Sequence, residues 1–350
     1  MQQTIAIDIA KDVFEVGVFN QAGRNVRRKR LNRDAFRLFL ATAEKSLVVT
    51  EACGTSHYWA REAKSYGHEV RLLPPAHVKP FGRRNKTDRT DVNAIHDASR
   101  SHGIRSVPVK SVEQQNLQLV HRAREQRKAQ RVRCINGLPA ILREHGVVLP
   151  AGADAFMARI HDAVEQTATV HFLRPILDGM LEELATCDKQ LERIEQMLKV
   201  VECSNPVVPL LETVPGIGLI TSTAFVSAVA DPNAFTSGRQ LSNWIGITPR
   251  EYSSGNTRML SGITRRGDVY LRMLLIHGAR AFLAGAIRVN ERDRTQLTPL
   301  QLWAVDLRSR MHFNKAAVAV ANKLARLCLS VWKRGTAYQA NYSPREVAAV

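Results

Sequence analysis

Short apolar runs and amphipathic stretches alternate along the first hundred residues. Ile5, Ile7 and Ile9 recur at every second position, a spacing that places them on one face of a β-strand. The runs FEVGVF and NVRRKRL follow, with the turn residues NQAGR between them. Polar turn residues between apolar runs are typical of hairpins. The pattern therefore predicts three consecutive antiparallel strands at the start of the chain.

Helical periodicity then alternates with two further apolar runs. An amphipathic stretch from Asp34 to Glu44 precedes the run SLVVTEA, and a second stretch from Ser56 to Tyr66 precedes the run EVRLLP. Three hairpin strands followed by helix, strand, helix and strand is the order of a ribonuclease-H-like (RuvC-like) fold, an α/β architecture with a central mixed sheet. We therefore predict a domain of this kind over residues 1–110.

The middle of the chain, residues 111–205, is predicted to be helical. From Ser111 to Gly146 the helical pattern is strongly basic, and its cationic side chains are candidates for contact with a nucleic-acid backbone. These side chains are Arg122, Arg124, Arg127, Lys128, Arg131 and Arg133. A heptad follows, with its core positions at Leu177, Met180, Leu184, Cys187, Leu191, Ile194, Leu198 and Val201. The heptad predicts a coiled-coil seam, formed either between subunits or by folding back on the preceding helices.

A third, mainly helical region is predicted over residues 206–350. It begins after Pro206, contains the sequence VPGIG, and ends in an apolar-striped helix through Val318 to Trp332. In helix-hairpin-helix modules a turn of this type, here with Gly216 and Gly218, lets backbone amides approach a DNA phosphate. A tight connection between helices that binds no ligand has the same sequence pattern, so both interpretations remain.

The charge of the chain indicates a polyanionic partner. Fifty Lys and Arg residues against 32 Asp and Glu residues leave a net charge of +18. The charge is spread along the chain, which favours nucleic acid over a membrane surface. No continuous apolar run reaches the length of a membrane span. Five scattered cysteines without a C-x-x-C pair indicate neither a disulfide framework nor structural zinc. We expect a cytoplasmic protein.

Four carboxylates are placed for divalent metal ions. Asp8 and Glu51 end the first and fourth predicted strands, where an uncompensated charge is costly. Asp88 and Asp91 lie three residues apart at the start of a predicted helix, so they share one face. Such a cluster predicts a two-metal site for phosphoryl transfer. Each carboxylate taken singly also has a structural explanation. Asp8 could end a strand in a turn, Glu51 could pair with an arginine, and Asp91 could stabilise a helix N-terminus.

A second candidate site follows in the third region. Ser253 and Ser254 precede Gly255 in a loop of small residues. The arginines around this loop are Arg250, Arg258, Arg265 and Arg266. A serine hydroxyl among guanidinium groups suits attack on a phosphodiester, because the arginines neutralise the charge that grows on the phosphate. The other interpretation is a basic loop whose serines only hydrogen-bond a phosphate.

Several motifs together resemble the DEDD-type insertion-sequence transposases of the groups one-ten and eleven-eleven, and the latter most closely. They are IAIDIAKDVFEV, VVTEACG, NKTDRTDVNAI, VPGIG, and PREYSSG followed by GITRRGDVYLR. The resemblance implies a RuvC-like domain, a coiled coil and a C-terminal transposase domain whose serine attacks DNA. It also implies that Asp8, Glu51, Asp88 and Asp91 are the DEDD carboxylates. Depending on the relative, the family serine aligns with Ser253 or with Ser254.

The resemblance further implies the partners and the reaction. Donor and target DNA would be selected by a structured guide RNA (a bridge RNA), and the cofactor would be Mg²⁺, as two ions, or Mn²⁺. A phosphoserine would conserve the bond energy until a DNA hydroxyl resolves it. Magnesium bound by the carboxylates would polarise the same phosphate, so the first and third regions have to meet. The resemblance also implies a prokaryotic protein associated with the nucleoid. The strand Arg27–Arg30 is a further candidate for RNA contact, and the coiled coil a candidate for a homodimer or homotetramer. The alternatives are a RuvC-like endonuclease that uses water and a non-catalytic nucleic-acid-binding protein.

Overall fold

A computed structural model describes residues 3–82, 88–150, 153–166 and 172–340 of the chain. The chain divides into two compact units, Met1–Gln114 and Gln115–Val350. The first unit holds the sheet that the alternating pattern predicts, and the second is largely helical.

The first unit is built on a five-stranded mixed sheet with the strand order β3-β2-β1-β4-β5. Its strands are β1 (Thr4–Ile9), β2 (Val13–Phe19), β3 (Asn25–Asn32), β4 (Leu47–Glu51) and β5 (Glu69–Leu73). Strands β1, β2 and β3 pair antiparallel, whereas β4 pairs parallel with both β1 and β5. The predicted mixed sheet is therefore confirmed, and β1 and β4 are neighbours.

Helices cover both faces of this sheet. They are α1 (Arg33–Thr42), α2 (Ser56–Ser65), α3 (Pro75–Val78) and α4 (Asp88–Ser99). Successive side chains of a strand point to opposite faces. Accordingly, Ile5 and Ile7 of β1 are buried with residues of α1 and α2. Ala6 of β1 and Val49 of β4 are buried on the other face, with residues of α4. Strand β1 is thus apolar on both sides because it is a central strand.

Three aromatic rings fix α1 and α2 on the sheet. Phe36 stacks on Phe14 at 4.5 Å and meets Trp59 edge-on at 4.8 Å, and its side chain is fully buried. We expect Phe36→Ala to lower the free energy of unfolding by about 3–5 kcal/mol, because a cavity replaces the ring. Urea denaturation measures the loss. Leu38→Ala on the same helix is the matched control: Leu38 is 65% exposed and should change stability by less than about 0.5 kcal/mol.

The helical part of the chain begins with long helices. They are α5 (Val112–Glu144), α6 (Ala153–Gln166) and α7 (Arg174–Ser204). Leu177 and Leu184 of α7 are buried against residues of α5 and α6, and Ile194 and Leu198 are buried with Leu117 of α5. These heptad positions are therefore filled from within the chain, which agrees with the alternative that the helix folds back on the preceding ones.

The C-terminal core is formed by further helices and carries one hairpin. The helices are α8 (Val207–Glu212), α9 (Leu219–Val229), α10 (Gly238–Ile245), α11 (Val269–Arg292), α12 (Pro299–Arg310) and α13 (Phe313–Arg334). The hairpin consists of β6 (Pro249–Glu251) and β7 (Leu260–Ile263). Helix α11 is long and apolar enough to cross a membrane by length and composition alone. Its residues Leu271, Leu275, Ala279 and Leu283 are buried in this core, as in the central helix of a helical domain.

The stability of the protein should depend on pH through His121. Its side chain is 3% exposed, and its Nδ1 atom lies 3.1 Å from the hydroxyl oxygen of Tyr270. Burial, and secondarily the charge of Arg124, lowers the pKa of His121 to about 4. The unfolded chain therefore binds the proton first as the pH falls below about 6.5. This histidine should reduce the free energy of unfolding progressively until about pH 4.

A comparison between pH 7.5 and pH 4.5 measures this effect. Urea denaturation of the unmodified chain should show a larger loss of stability than His121→Gln shows, by about 2–3 kcal/mol. Equal losses in the two proteins would contradict the assignment.

Candidate active site

Asp8 and Glu51 lie side by side at the carboxyl ends of two neighbouring strands. Ile7 of β1 is paired with Thr50 of parallel β4, and Asp8 and Glu51 are the next residues. Alternation along each strand places Asp8 on the face of Ala6 and Glu51 on the face of Val49, the face that α4 covers. Both carboxylates are half-buried. The structure thus brings these two predicted site residues together.

The Cys53 thiol lies close enough to both carboxylates to be affected by their charge. Partial burial raises its pKa, and the negative charges of Asp8 and then Glu51 raise it further. These carboxylates therefore act on one point just beyond the end of β4.

Asp91 lies on α4, which packs against β1 and β4. The next residue, Val92, is fully buried in the core between this helix and the sheet. Asp88 is the first residue of α4, but its side chain lies outside the described residues. Within the described part of the chain, no group of three or more His, Cys, Asp or Glu side chains is close enough to hold a metal ion. The pair Asp8 and Glu51 is the part of the predicted cluster that the structure assembles.

The donor chemistry of this pair fits a hard divalent ion. Carboxylate oxygens are the ligands that Mg²⁺ and Mn²⁺ prefer, and Mg²⁺ is commonly bound through one or two carboxylates together with phosphate oxygens of a substrate. Asp8 and Glu51 meet this requirement, because they are half-buried carboxylates at the carboxyl ends of neighbouring strands.

The serine loop is the exposed end of the β6–β7 hairpin. Beyond the strands, the Tyr252 amide donates to the Met259 carbonyl at 2.9 Å, and Ser254 and Thr257 exchange backbone hydrogen bonds. Gly255 turns the chain with φ +54°, a conformation that glycine adopts without strain. Ser253 and Ser254 are both exposed at this turn.

Glu251 connects Ser253 with an arginine. The Ser253 hydroxyl donates to Oε1 of Glu251 at 2.7 Å, and Nε of Arg258 donates to the same oxygen at 3.3 Å. Glu251 is not among the site residues that the sequence pattern predicts. The signal was present in the spacing, because residues i and i+2 of an extended chain share a face.

The base of the hairpin is fixed to the helical core. Arg272 of α11 is 8% exposed and donates through Nη1 to the carbonyls of Ile245 at 2.8 Å and Arg266 at 3.0 Å. Gly246 and Gly267 both have φ near +80°. A Cβ atom at Gly267 would lie 1.7 Å from the Trp244 carbonyl oxygen, and one at Gly246 would lie 1.9 Å from that of Arg266. These positions accept only glycine.

The other arginines of the predicted site have separate environments. Arg250 reaches the Thr264 carbonyl across the hairpin at 3.4 Å. Arg265 has φ +57°, which is unusual for a residue with a side chain. Arg265 and Arg266 are exposed at the base of the hairpin. The hairpin therefore carries arginine on β6, in its turn and at its base.

The six basic residues of α5 fall into two groups. Arg122, Lys128 and Arg133 are exposed. Arg131 pairs with Asp188 and Arg124 with Glu195, both acids of α7, and Arg127 donates to Gln130 within α5. The first group is available to a nucleic acid, whereas the arginine–acid pairs also hold α5 against α7.

The two glycines of VPGIG differ in what surrounds them: one is required by helix packing, whereas the other faces a cavity. Gly216 has φ +82°, and a Cβ atom there would lie 2.9 Å from the Gly278 carbonyl oxygen of α11, so its identity is explained by helix packing. A Cβ atom at Gly218 would meet no atom within 4 Å. Gly218 precedes α9 and lines a cavity of about 450 Å³ whose walls include Arg124, Lys128 and Lys199.

Comparisons with known proteins cover both candidate sites. Residues 5–146, which contain Asp8, Glu51 and Asp91, match the family model DEDD_Tnp_IS110, described as Transposase. Residues 208–296, which contain the serine hairpin, match the model described as Transposase IS116/IS110/IS902 family.

Curated relatives match nearly the whole chain. It is 35% identical to the probable family 20 transposase of Pseudomonas aeruginosa, over 96% of this chain and 98% of that protein. It is 34% identical to the transposase for insertion sequence element IS1111A of Coxiella burnetii, over 96% of this chain and 91% of that protein. The pilin gene-inverting protein of Moraxella bovis is 26% identical over 65% of this chain and 64% of its own length.

Proposed function

This chain belongs to the IS116/IS110/IS902 family of transposases, enzymes that cut and rejoin DNA, and we propose that it uses a serine nucleophile and a carboxylate-bound divalent ion to recombine an insertion sequence. The observation that supports a serine nucleophile is the environment of Ser253. Its exposed hydroxyl is hydrogen-bonded to the Glu251 carboxylate, on a hairpin rich in arginine. Ser254 is the alternative nucleophile.

In the proposed reaction, Ser253 Oγ attacks the phosphorus of a DNA phosphodiester. The arginines of the hairpin hold the phosphate oxygens and stabilise the negative charge of the transition state, as charge-assisted hydrogen bonds do. The resulting phosphoserine keeps the energy of the broken ester bond, and a DNA hydroxyl of the exchanged strand then displaces the serine.

Asp8 and Glu51, with Asp91 and Asp88 from α4, would hold the divalent ions, Mg²⁺ or Mn²⁺. When bound, such ions neutralise charge on the phosphate and acidify hydroxyl groups near it. Asp8 and Glu51 contribute by fixing two carboxylates on adjacent strands of a rigid sheet, which sets the spacing of the ligands before DNA arrives.

We also propose two nucleic-acid partners, DNA and a structured guide RNA. The exposed cations of α5 suit an RNA backbone, where charge matters more than sequence. On β3, Arg27 and Arg30 are both exposed, and Arg30 also lies 3.6 Å from Glu15. The cavity at Gly218 is lined by Lys128 and Lys199, by Arg124 with its ion-pair partner Glu195, and by the first turn of α9. The backbone N–H groups of that turn favour an anion. The cavity suits one backbone phosphate.

A homodimer or homotetramer remains part of the proposal. Because the buried heptad positions of α7 are filled by α5 and α6, the contact between copies would use other faces of the long helices. Met197 and Val200 of α7 are 52% and 68% exposed.

The test is whether DNA stays attached to denatured protein. Cells carrying the tagged gene with its flanking DNA on a plasmid are lysed in sodium dodecyl sulfate, and the tagged protein is captured under denaturing conditions. We expect DNA from the ends of the element to be enriched in the captured fraction.

Two outcomes would favour other functions. DNA that is cut without any covalent attachment would indicate a RuvC-like endonuclease that uses water. Binding without cutting would indicate a non-catalytic nucleic-acid-binding protein.

A further inference from the structure

We propose that Glu251 is the proton acceptor for Ser253 and is therefore a further catalytic residue. The proposal rests on the proposed function, because it assigns the group that activates the serine. It also selects Ser253 over Ser254 as the nucleophile.

The geometry of Glu251 and Ser253 is that of a base and its nucleophile. The separation of 2.7 Å between Ser253 Oγ and Glu251 Oε1 lies within the roughly 2.6–3.2 Å over which a general base takes a proton. Glu251 ends β6, and the backbone pairing of Tyr252 with Met259 continues the ladder beyond it. The extended chain therefore places the two side chains on one side of the hairpin.

A serine hydroxyl needs such a partner. It is a weak nucleophile at neutral pH and is activated in proteins by an adjacent base. Between Gly246 and Gly267 the sequence contains one carboxylate, Glu251. For Ser254 the structure records a backbone pair with Thr257, which is a structural contact of the turn.

Arg258 reduces the electrostatic repulsion between the Glu251 carboxylate and an incoming phosphate. Its Nε lies 3.3 Å from the same Oε1, so it offsets the charge that would repel DNA. The hydrogen bond from Ser253, and then the charge of Arg258, lowers the pKa of Glu251. The carboxylate therefore stays ionised throughout the neutral range.

The attack on phosphorus breaks one bond to phosphorus for the one that it forms. The Ser253 Oγ–H bond breaks and its proton passes to Glu251, while the Oγ–P bond forms. The bond from phosphorus to one deoxyribose oxygen breaks, and that oxygen takes a proton from water. Glu251 is exposed and releases its proton to solvent. In the second step a DNA hydroxyl attacks the phosphorus: its O–H bond breaks and the proton passes to water, the new O–P bond forms, and the Oγ–P bond breaks. Ser253 Oγ then takes a proton from water, and its hydroxyl again donates to the ionised Glu251.

The experiment measures the rate of covalent attachment against pH. Purified protein is incubated with transcripts of the DNA that flanks the gene and with a fluorescent duplex spanning the ends of the element, then denatured and separated by electrophoresis. Variants are Glu251→Gln, which keeps a hydrogen-bond acceptor but takes no proton, and Glu251→His, which supplies a base with a pKa near ~6.5. Ser261→Ala, an exposed serine of β7, is the matched control.

We expect Glu251→Gln to reduce the attachment rate by about 100-fold or more, as loss of a general base does. Glu251→His should recover attachment above about pH 7 and lose it below about pH 6, whereas the unmodified protein and Ser261→Ala should vary little across that range.

The results separate this proposal from the proposed function. If the unmodified protein attaches DNA and Glu251→Gln keeps its rate within about threefold, or if Glu251→His shows the unmodified pH profile, Glu251 is not the proton acceptor and the serine mechanism stands. If the unmodified protein attaches no DNA while still cutting it, the serine mechanism fails and Glu251 has no proton to accept.

Discussion

Ser253→Ala is expected to abolish covalent attachment of DNA to the protein, with a loss of about 1000-fold or more in recombination in cells, because no other group replaces the nucleophile. Ser254→Ala should retain attachment, since the hydroxyl hydrogen-bonded to Glu251 is that of Ser253. The measurement is denaturing capture of the protein with its DNA, combined with amplification of the rejoined junction.

Both serines are exposed on the same turn, so the two variants are matched in burial and in the atoms removed. Neither should change the free energy of unfolding by more than about 0.5 kcal/mol. If Ser254→Ala loses attachment while Ser253→Ala keeps it, Ser254 is the nucleophile and the assignment to Ser253 is wrong.

Asp8→Asn and Glu51→Gln are expected to reduce DNA cutting by a comparable factor, about 1000-fold or more, since each removes a charged ligand for a divalent ion at the phosphate. Cutting of a plasmid that carries the element ends, measured against Mg²⁺ concentration, checks this expectation. The variants should also require more Mg²⁺ or Mn²⁺ for whatever activity remains.

Glu15→Gln is a suitable control for these variants. Glu15 lies on β2 directly opposite Asp8 in the register and pairs with Arg30, so the substitution alters a nearby carboxylate outside the predicted cluster. Full cutting by Asp8→Asn at ordinary Mg²⁺ concentrations would show that the carboxylates are structural.

Much of the first unit was predictable from the sequence because its signals are local. Period-two alternation locates the strands, and the order of hairpin strands and strand–helix–strand units makes β1 and β4 neighbours. The meeting of Asp8 and Glu51 follows from that order alone. That Asp88 and Asp91 join Asp8 and Glu51 in one metal site remains a prediction.

The second unit was less predictable because its contacts depend on distant partners. Arg131 and Arg124 have the same sequence pattern as the exposed Lys128, yet they pair with Asp188 and Glu195, more than fifty residues along the chain. The heptad indicates an apolar seam but does not specify which helix fills it. The role of Glu251 depends on a hairpin geometry that composition does not reveal.

The anchoring of the hairpin has a genetic consequence. Arg272, Gly246 and Gly267 set the position of the β6–β7 base, and the strands themselves are too short to be stable alone. A screen for transposition-defective alleles should therefore recover substitutions at these three positions, in protein that still accumulates in the cell. Such alleles would identify residues that position the nucleophile through the backbone of the hairpin base.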